Sequence, residues 1–135
     1  VWGRRPQDAV VAVTAGLLDA LPRIELEGAL AAALAAIREG ELGPATIVAS
    51  VPGAGRRLVA SAAGRDEATD AAAVGLTRFP PGLAAALETM GGRGTSVTAG
   101  GPDRAHLWLV DPAPAGARSP GRSAPHDRAE ALREL

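Results

Sequence analysis

The stretch IELEGALAAALAAIRE, Ile24 to Glu39, constrains this chain more than any other. Leu26, Leu30, Leu34 and Ile37 fall at helical spacing, which predicts an amphipathic helix over this range. Alanines fill its flanks, so a neighbouring element can approach it closely. Gly40 is placed to take the left-handed conformation that ends a helix. The rest of the chain offers few bulky groups to pack there, since Trp2, Phe79 and Trp108 are its only aromatics. The core must therefore be built from Ala, Val and Leu.

With 135 residues the chain fits one domain with a real core. Its formal net charge of −1 gives no global field favouring nucleic acid or an acidic membrane. Cysteine is absent, which excludes disulfides, thiolate metal sites and a cysteine nucleophile. Lysine, asparagine and tyrosine are missing too, and all 14 basic residues are arginine. A GC-rich bacterial genome accounts for that bias, so arginine abundance is not by itself a binding signal. The first residue is valine, and we expect a piece of a longer chain with an effector domain elsewhere in it. No segment has the apolar length to span a bilayer. Val10–Leu21 is apolar enough for a signal core but lacks the cleavage region and meets Pro22, so we read it as a helix. A cytoplasmic location is the expectation.

Read along its length, the chain divides into an N-terminal helical piece over 1–23, a core over 24–110, a linker over 111–125 and a closing helix over 126–135. The first helix is expected from about Asp8 to Leu21, with Val10, Val13, Leu17 and Leu21 on one face. After Pro44 the period becomes extended. ATIVASV (Ala45–Val51) and RRLVASAA (Arg56–Ala63), joined by PGAG, predict a β-hairpin. A short helix capped by Asp66 is expected to end near Gly75. Another, Gly82 to Met90, follows Pro80-Pro81 and buries Leu83, Leu87 and Met90. Gly91 and Gly92 then stop that helix, Thr95–Ala99 reads as a strand, and GGPD turns into a second strand, RAHLWLV (Arg104–Val110). That run is apolar on both faces apart from His106, which predicts a central strand. DPAPAGARSPGRSAP reads as linker, and Asp127 caps the last helix.

No strong catalytic motif emerges. The glycines at 91–94 follow a helix and open a strand, whereas a phosphate-binding loop follows a strand, opens a helix and carries a lysine. His106 and His126 are the only imidazoles, too few for a histidine-based metal site. His126-Asp127 is explained by helix capping. Ser50, Ser61 and Ser96 lack the sharp elbow that presents a nucleophile. Arg118, Arg122 and Arg128 lie in a segment without interleaved aromatics, which reads as linker charge and not as a nucleic-acid surface. These observations predict no catalytic, metal-binding or cofactor-binding residues.

The order helix, helix, hairpin, short helices, hairpin, linker, helix describes an α+β domain with a mainly antiparallel sheet and helices packed on it. In IELEGALAAALAAIREGELGPATIVASVPGAGRRLVASAAG, FPPGLAAALETMGGRGTSV, RAHLWLV and SAPHDRAEALREL the chain resembles a GAF domain, a small-molecule-sensing module of bacterial regulators. The resemblance spans Ile24 to Leu135. The cyclic-nucleotide signature of that family needs asparagine and lysine, and its bilin-binding branch needs cysteine, so neither ligand is implied, and a degenerate GAF-like domain without ligand is an alternative. The order over Leu26 to Val110 also fits a Roadblock/LC7-type module, a dimerising scaffold partnered with a small GTPase.

The resemblance implies a non-catalytic sensory or regulatory domain that binds a small ligand or partner and signals through its terminal helices, as in transcription regulation. Phe79, Met90, His106 and Trp108 are the expected pocket liners, being the large or polar-tipped groups of the core. A homodimer through the N-terminal helix is the expected assembly, with no nucleic acid or membrane bound by this domain.

Overall fold

A computed structural model describes residues 1–40, 45–46, 50, 64–93, 102–112 and 121–135. Among them the protein is helical and carries no named strand. Among the described residues the only β-type pairing is an isolated antiparallel bridge between Trp2 and Val10. The named α-helices of the described residues are α1 (Ala15–Ala20), α2 (Arg23–Arg38), α3 (Arg65–Thr77), α4 (Pro80–Gly92) and α5 (Pro125–Arg133). Tight 3-10 turns occupy Pro6–Asp8 and Pro102–Leu107.

Two expectations are overturned. The mainly antiparallel sheet is absent from the described residues, and with it goes the GAF-like α+β fold. The decisive segment is Arg104–Val110, the expected central strand, which lies in the 3-10 turn and the bends after it. Its carbonyls are paired by arginine side chains, described below, where a strand would pair them with a neighbouring backbone. The expected hairpin over 45–63 and the strand at 95–99 lie outside the described residues, apart from Ala45, Thr46 and Ser50. Ala45 and Thr46 are helical.

Local chemistry explains the helices that form. Helix α2 follows Pro22, carries Glu25 in its first turn and Arg38 in its last, both favourable to the helix dipole. Gly40 then takes φ +76°. Helix α4 opens with Pro80, where the missing amide costs no intrahelical bond. Helix α1 is shorter than expected: Thr14 caps it by accepting from the Leu17 amide at 3.2 Å. The residues before it include Val10, Val11 and Val13, whose β-branching disfavours the helical state.

Helix α2 packs against both α3 and α4, while α5 packs mainly on the α4 helix. Its buried face is not the leucine stripe. Gly28, Ala29, Ala31, Ala32, Ala33 and Ala35 are buried, whereas Leu30 and Leu34 are 36% and 54% exposed. Close approach decides this. A methyl group added at Gly28 would stand 2.6 Å from the Leu83 nitrogen, so the two backbones are in direct contact at that crossing. Leu83 and Leu87 of α4 fill the space beside it, both essentially inaccessible to solvent. Together with Ala32, Ala35, Ala73, Ala129 and Leu132 they form the main core. No described helix is long and apolar enough to cross a membrane.

Candidate functional site

The polar interior of this alanine-rich bundle is concentrated where α3, α5 and the 102–112 segment meet. Asp70 faces inward from α3 and Arg128 from α5; their side chains are 4% and 2% exposed. Arg128 grips Asp70 with two bonds, Nε to Oδ2 at 2.7 Å and Nη2 to Oδ1 at 2.6 Å. Its remaining nitrogen, Nη1, donates to the Leu109 carbonyl at 2.7 Å. Burial pushes the Asp70 carboxyl above its ordinary range, and the Arg128 guanidinium pulls the other way.

A second arginine sits in the segment expected to be linker. Arg122 donates to three carbonyls, those of Ala105, Trp108 and Leu109, each at 2.9 Å. This guanidinium is what holds the 102–110 segment in its non-strand path. Its Nε lies 3.1 Å from Asp66 Oδ2, a charge contact without the alignment of a hydrogen bond. The Asp66 carboxylate instead accepts from the Ser123 amide at 3.2 Å. Burial lowers the Arg122 guanidinium below its ordinary value, with Asp66 opposing.

Asp66, Arg122 and Arg128 border a cavity of about 80 Å³. Helix α2 contributes Ala32, Ala33 and Ala36 to its wall, α3 contributes Asp66 and Thr69, and the 102–110 segment contributes His106 and Trp108. His106 Nε2 is 2.9 Å from the Ala45 carbonyl, which can only accept, so Nε2 carries the proton. Burial lowers the imidazole's pKa below its usual value, and the nearby Arg122 and Arg65 charges add to this; the bond to Ala45 opposes it. The neutral ring therefore turns a bare acceptor, Nδ1, into a buried position with no partner.

Of the four expected pocket liners, the structure brings His106 and Trp108 to this cavity. Phe79 is elsewhere, 47% exposed at the start of α4, and Met90 packs against the apolar core clusters. Sequence reasoning missed Asp66, Asp70, Arg122 and Arg128. The signal available for the pair was modest: Asp70 lies on the same helical face as Ala73, and Arg128 on that of Leu132. Reading Arg122 as linker charge concealed its role, and Arg118 lies outside the described residues. Among the described residues, no group of three or more histidine, aspartate or glutamate side chains is arranged to hold a metal.

No protein-family model matches the chain, the GAF family included, and no solved structure matches it significantly. A stretch of 52 residues is 46% identical to a protein described as "Protease HtpX homolog" from Salinibacter ruber (strain DSM 13855 / M31). The likeness covers 38% of this chain and 19% of that protein. The chain is thus similar over a limited stretch to part of a protease homologue.

Proposed function

We propose that this domain is a non-catalytic binding module, taking a small ligand or partner at the alanine-walled cavity. One observation carries the reading. The wall that α2 gives to the cavity is Ala32, Ala33 and Ala36. Three methyl groups can neither ligate a metal nor accept a proton from water, the tasks of a metal-dependent hydrolytic site. The two imidazoles of the chain do not replace them: His106 is bonded to Ala45, and His126 is exposed on α5.

A casein-cleavage assay with zinc supplied tests this. The expected result is no turnover above buffer and no zinc retained after gel filtration. Cleavage that disappears on substitution of Asp66, or stoichiometric zinc, would overturn the reading. A second reading, self-association through the N-terminal helices, is favoured by the exposure of Leu18 on α1 and Leu34 on α2, at 53% and 54%. Sedimentation equilibrium tests it: a monomer at high concentration would exclude it.

A further inference from the structure

The 102–110 segment is held in place by donors that reach it from elsewhere in the chain. Arg122 donates to the Ala105, Trp108 and Leu109 carbonyls, Arg128 to that of Leu109, and the Val1 nitrogen to that of Leu107 at 2.7 Å. His106 reverses the direction: its Nε2 reaches out of the segment to the Ala45 carbonyl at 2.9 Å. The arginines keep their charge at every accessible pH, so their grip does not titrate. The Val1 amino group, lowered from its ordinary pKa by burial, remains a donor in either charge state. His106 is the member of this set that has one workable charge state.

With Nε2 committed to Ala45, a second proton must go to Nδ1, which is buried and has no protein partner. The surrounding charges oppose that proton. Arg122 is anchored on Ala105 and Trp108, one on each side of His106 in the chain, and α3 brings Arg65 to the same cavity. Asp66 of α3 also borders it, but its carboxylate already meets Arg122 Nε at 3.1 Å and the Ser123 amide at 3.2 Å. Of the other acids nearby, Asp70 is held by Arg128, and Asp111 acts on Arg122. Helix α2 adds alanines to the wall and no charge. Burial and the Arg122 and Arg65 charges lower the imidazole's pKa, so the ring stays neutral until the pH falls below the ordinary histidine value.

We propose that His106 is a pH-operated latch: protonated at Nδ1, the ring leaves its buried place, its bond to the Ala45 carbonyl breaks, and Ala45 and Thr46 come away from the 102–107 turn, admitting solvent to the cavity. The turn itself stays on the bundle, because the arginine bonds to its carbonyls do not depend on this proton. The helices stay folded as well, since His106 is no part of the core around Leu83, Leu87 and Leu132. The latch is independent of what the cavity binds.

Trp108 borders the same cavity and reports on its opening. The test is acrylamide quenching of Trp108 fluorescence in a Trp2→Phe background, followed from pH 8 to about 4.5 beside the far-ultraviolet circular dichroism. The expected result is a reversible one-proton rise in quenching of about twofold, with a midpoint below the ordinary imidazole value of about 6.5 and an unchanged helix signal. His106→Gln keeps an N–H for Ala45 but cannot charge, so its quenching should stay flat over the same range. No rise in quenching, a rise that coincides with loss of helix, or a rise that persists in His106→Gln would each overturn the latch. If that variant does not fold, the imidazole nitrogen resonances of the ¹⁵N-labelled native chain decide: His106 must titrate at the quenching midpoint, and a different pH, or titration of the exposed His126 there instead, would overturn it.

Discussion

Replacing Asp70 by Asn leaves the Arg128 guanidinium charged, 2% exposed, and without its carboxylate. Arginine cannot shed its proton, so the charge stays buried with only neutral acceptors, the Leu109 carbonyl and the asparagine amide oxygen, and one guanidinium nitrogen faces an NH2 donor. Breaking a buried pair from one side costs about 3–5 kcal/mol. A domain of this kind has a total stability of about 5–15 kcal/mol, so the variant should lose about a fifth of it or more. With an unfolding entropy of about 2.1 cal/mol/K per residue over 135 residues, the melting temperature should fall by about 10–18 °C. Removing both partners is a different matter. Asp70→Leu with Arg128→Met eliminates both desolvation costs, and such apolar replacements are often neutral or stabilising. The pH dependence checks the same physics. Burial raises the Asp70 carboxyl in the folded state, so its contribution is fully present below the unfolded value of about 3.9 and declines as pH rises through the folded value. Urea unfolding of the native chain, the Asp70→Asn variant and the double variant, across that pH range, measures all of this. A single Asp70→Asn variant within about 1 kcal/mol of native would refute the reasoning, because no exposed pair costs more than that.

Two further predictions follow from contacts at α2 and the cavity. Gly28→Ala gains about 1 kcal/mol of helix propensity but places its methyl 2.6 Å from the Leu83 nitrogen and 2.8 Å from its Cα, both backbone atoms that cannot turn aside. Overpacking costs of about 1–3 kcal/mol or more should exceed the gain, so denaturant unfolding should show net destabilisation. Gly75→Ala on α3, with nothing within 4 Å of the new methyl, should be neutral or stabilising; the reverse order would refute the close crossing. His106 has its pKa lowered by burial, so its contribution is complete above the unfolded value of about 6.5 and is lost as pH falls from there through the folded value. His106→Gln should remove this acid-side loss; an unchanged profile in thermal melts would show that another group causes it.

The helices were largely legible, for reasons that can be named. Proline at the start of α4 and glycine after α2 act through their own backbone restrictions, so their effect survives almost any tertiary setting. Leu83 and Leu87, flanked by small residues, had to face a core in a chain with so few large side chains. Apolar spacing alone overextends the first helix, because the β-branching of Val10, Val11 and Val13 disfavours the helical state before Thr14. On α2 the leucine stripe identified the element correctly and its packing face wrongly. Hydrophobicity favours burying leucine, but the Gly28 contact sets a separation at which alanine fits and leucine does not.

The sequence by itself determined where α2, α3, α4 and α5 form, that the core would be small-chained, and that no thiol chemistry is present. Those properties follow from side-chain volume, backbone restriction and residue type, which are local. Only the tertiary structure decided the fate of Arg104–Val110 and the nature of the cavity. An apolar run reads as a strand when its carbonyls are assumed to pair with another backbone. Here Arg122 and Arg128, distant in the chain and indistinguishable from the other arginines by composition, pair with those carbonyls instead. Likewise Ala32, Ala33 and Ala36 are unremarkable methyls until α3 and the 102–110 segment close around them, making them the wall that faces His106.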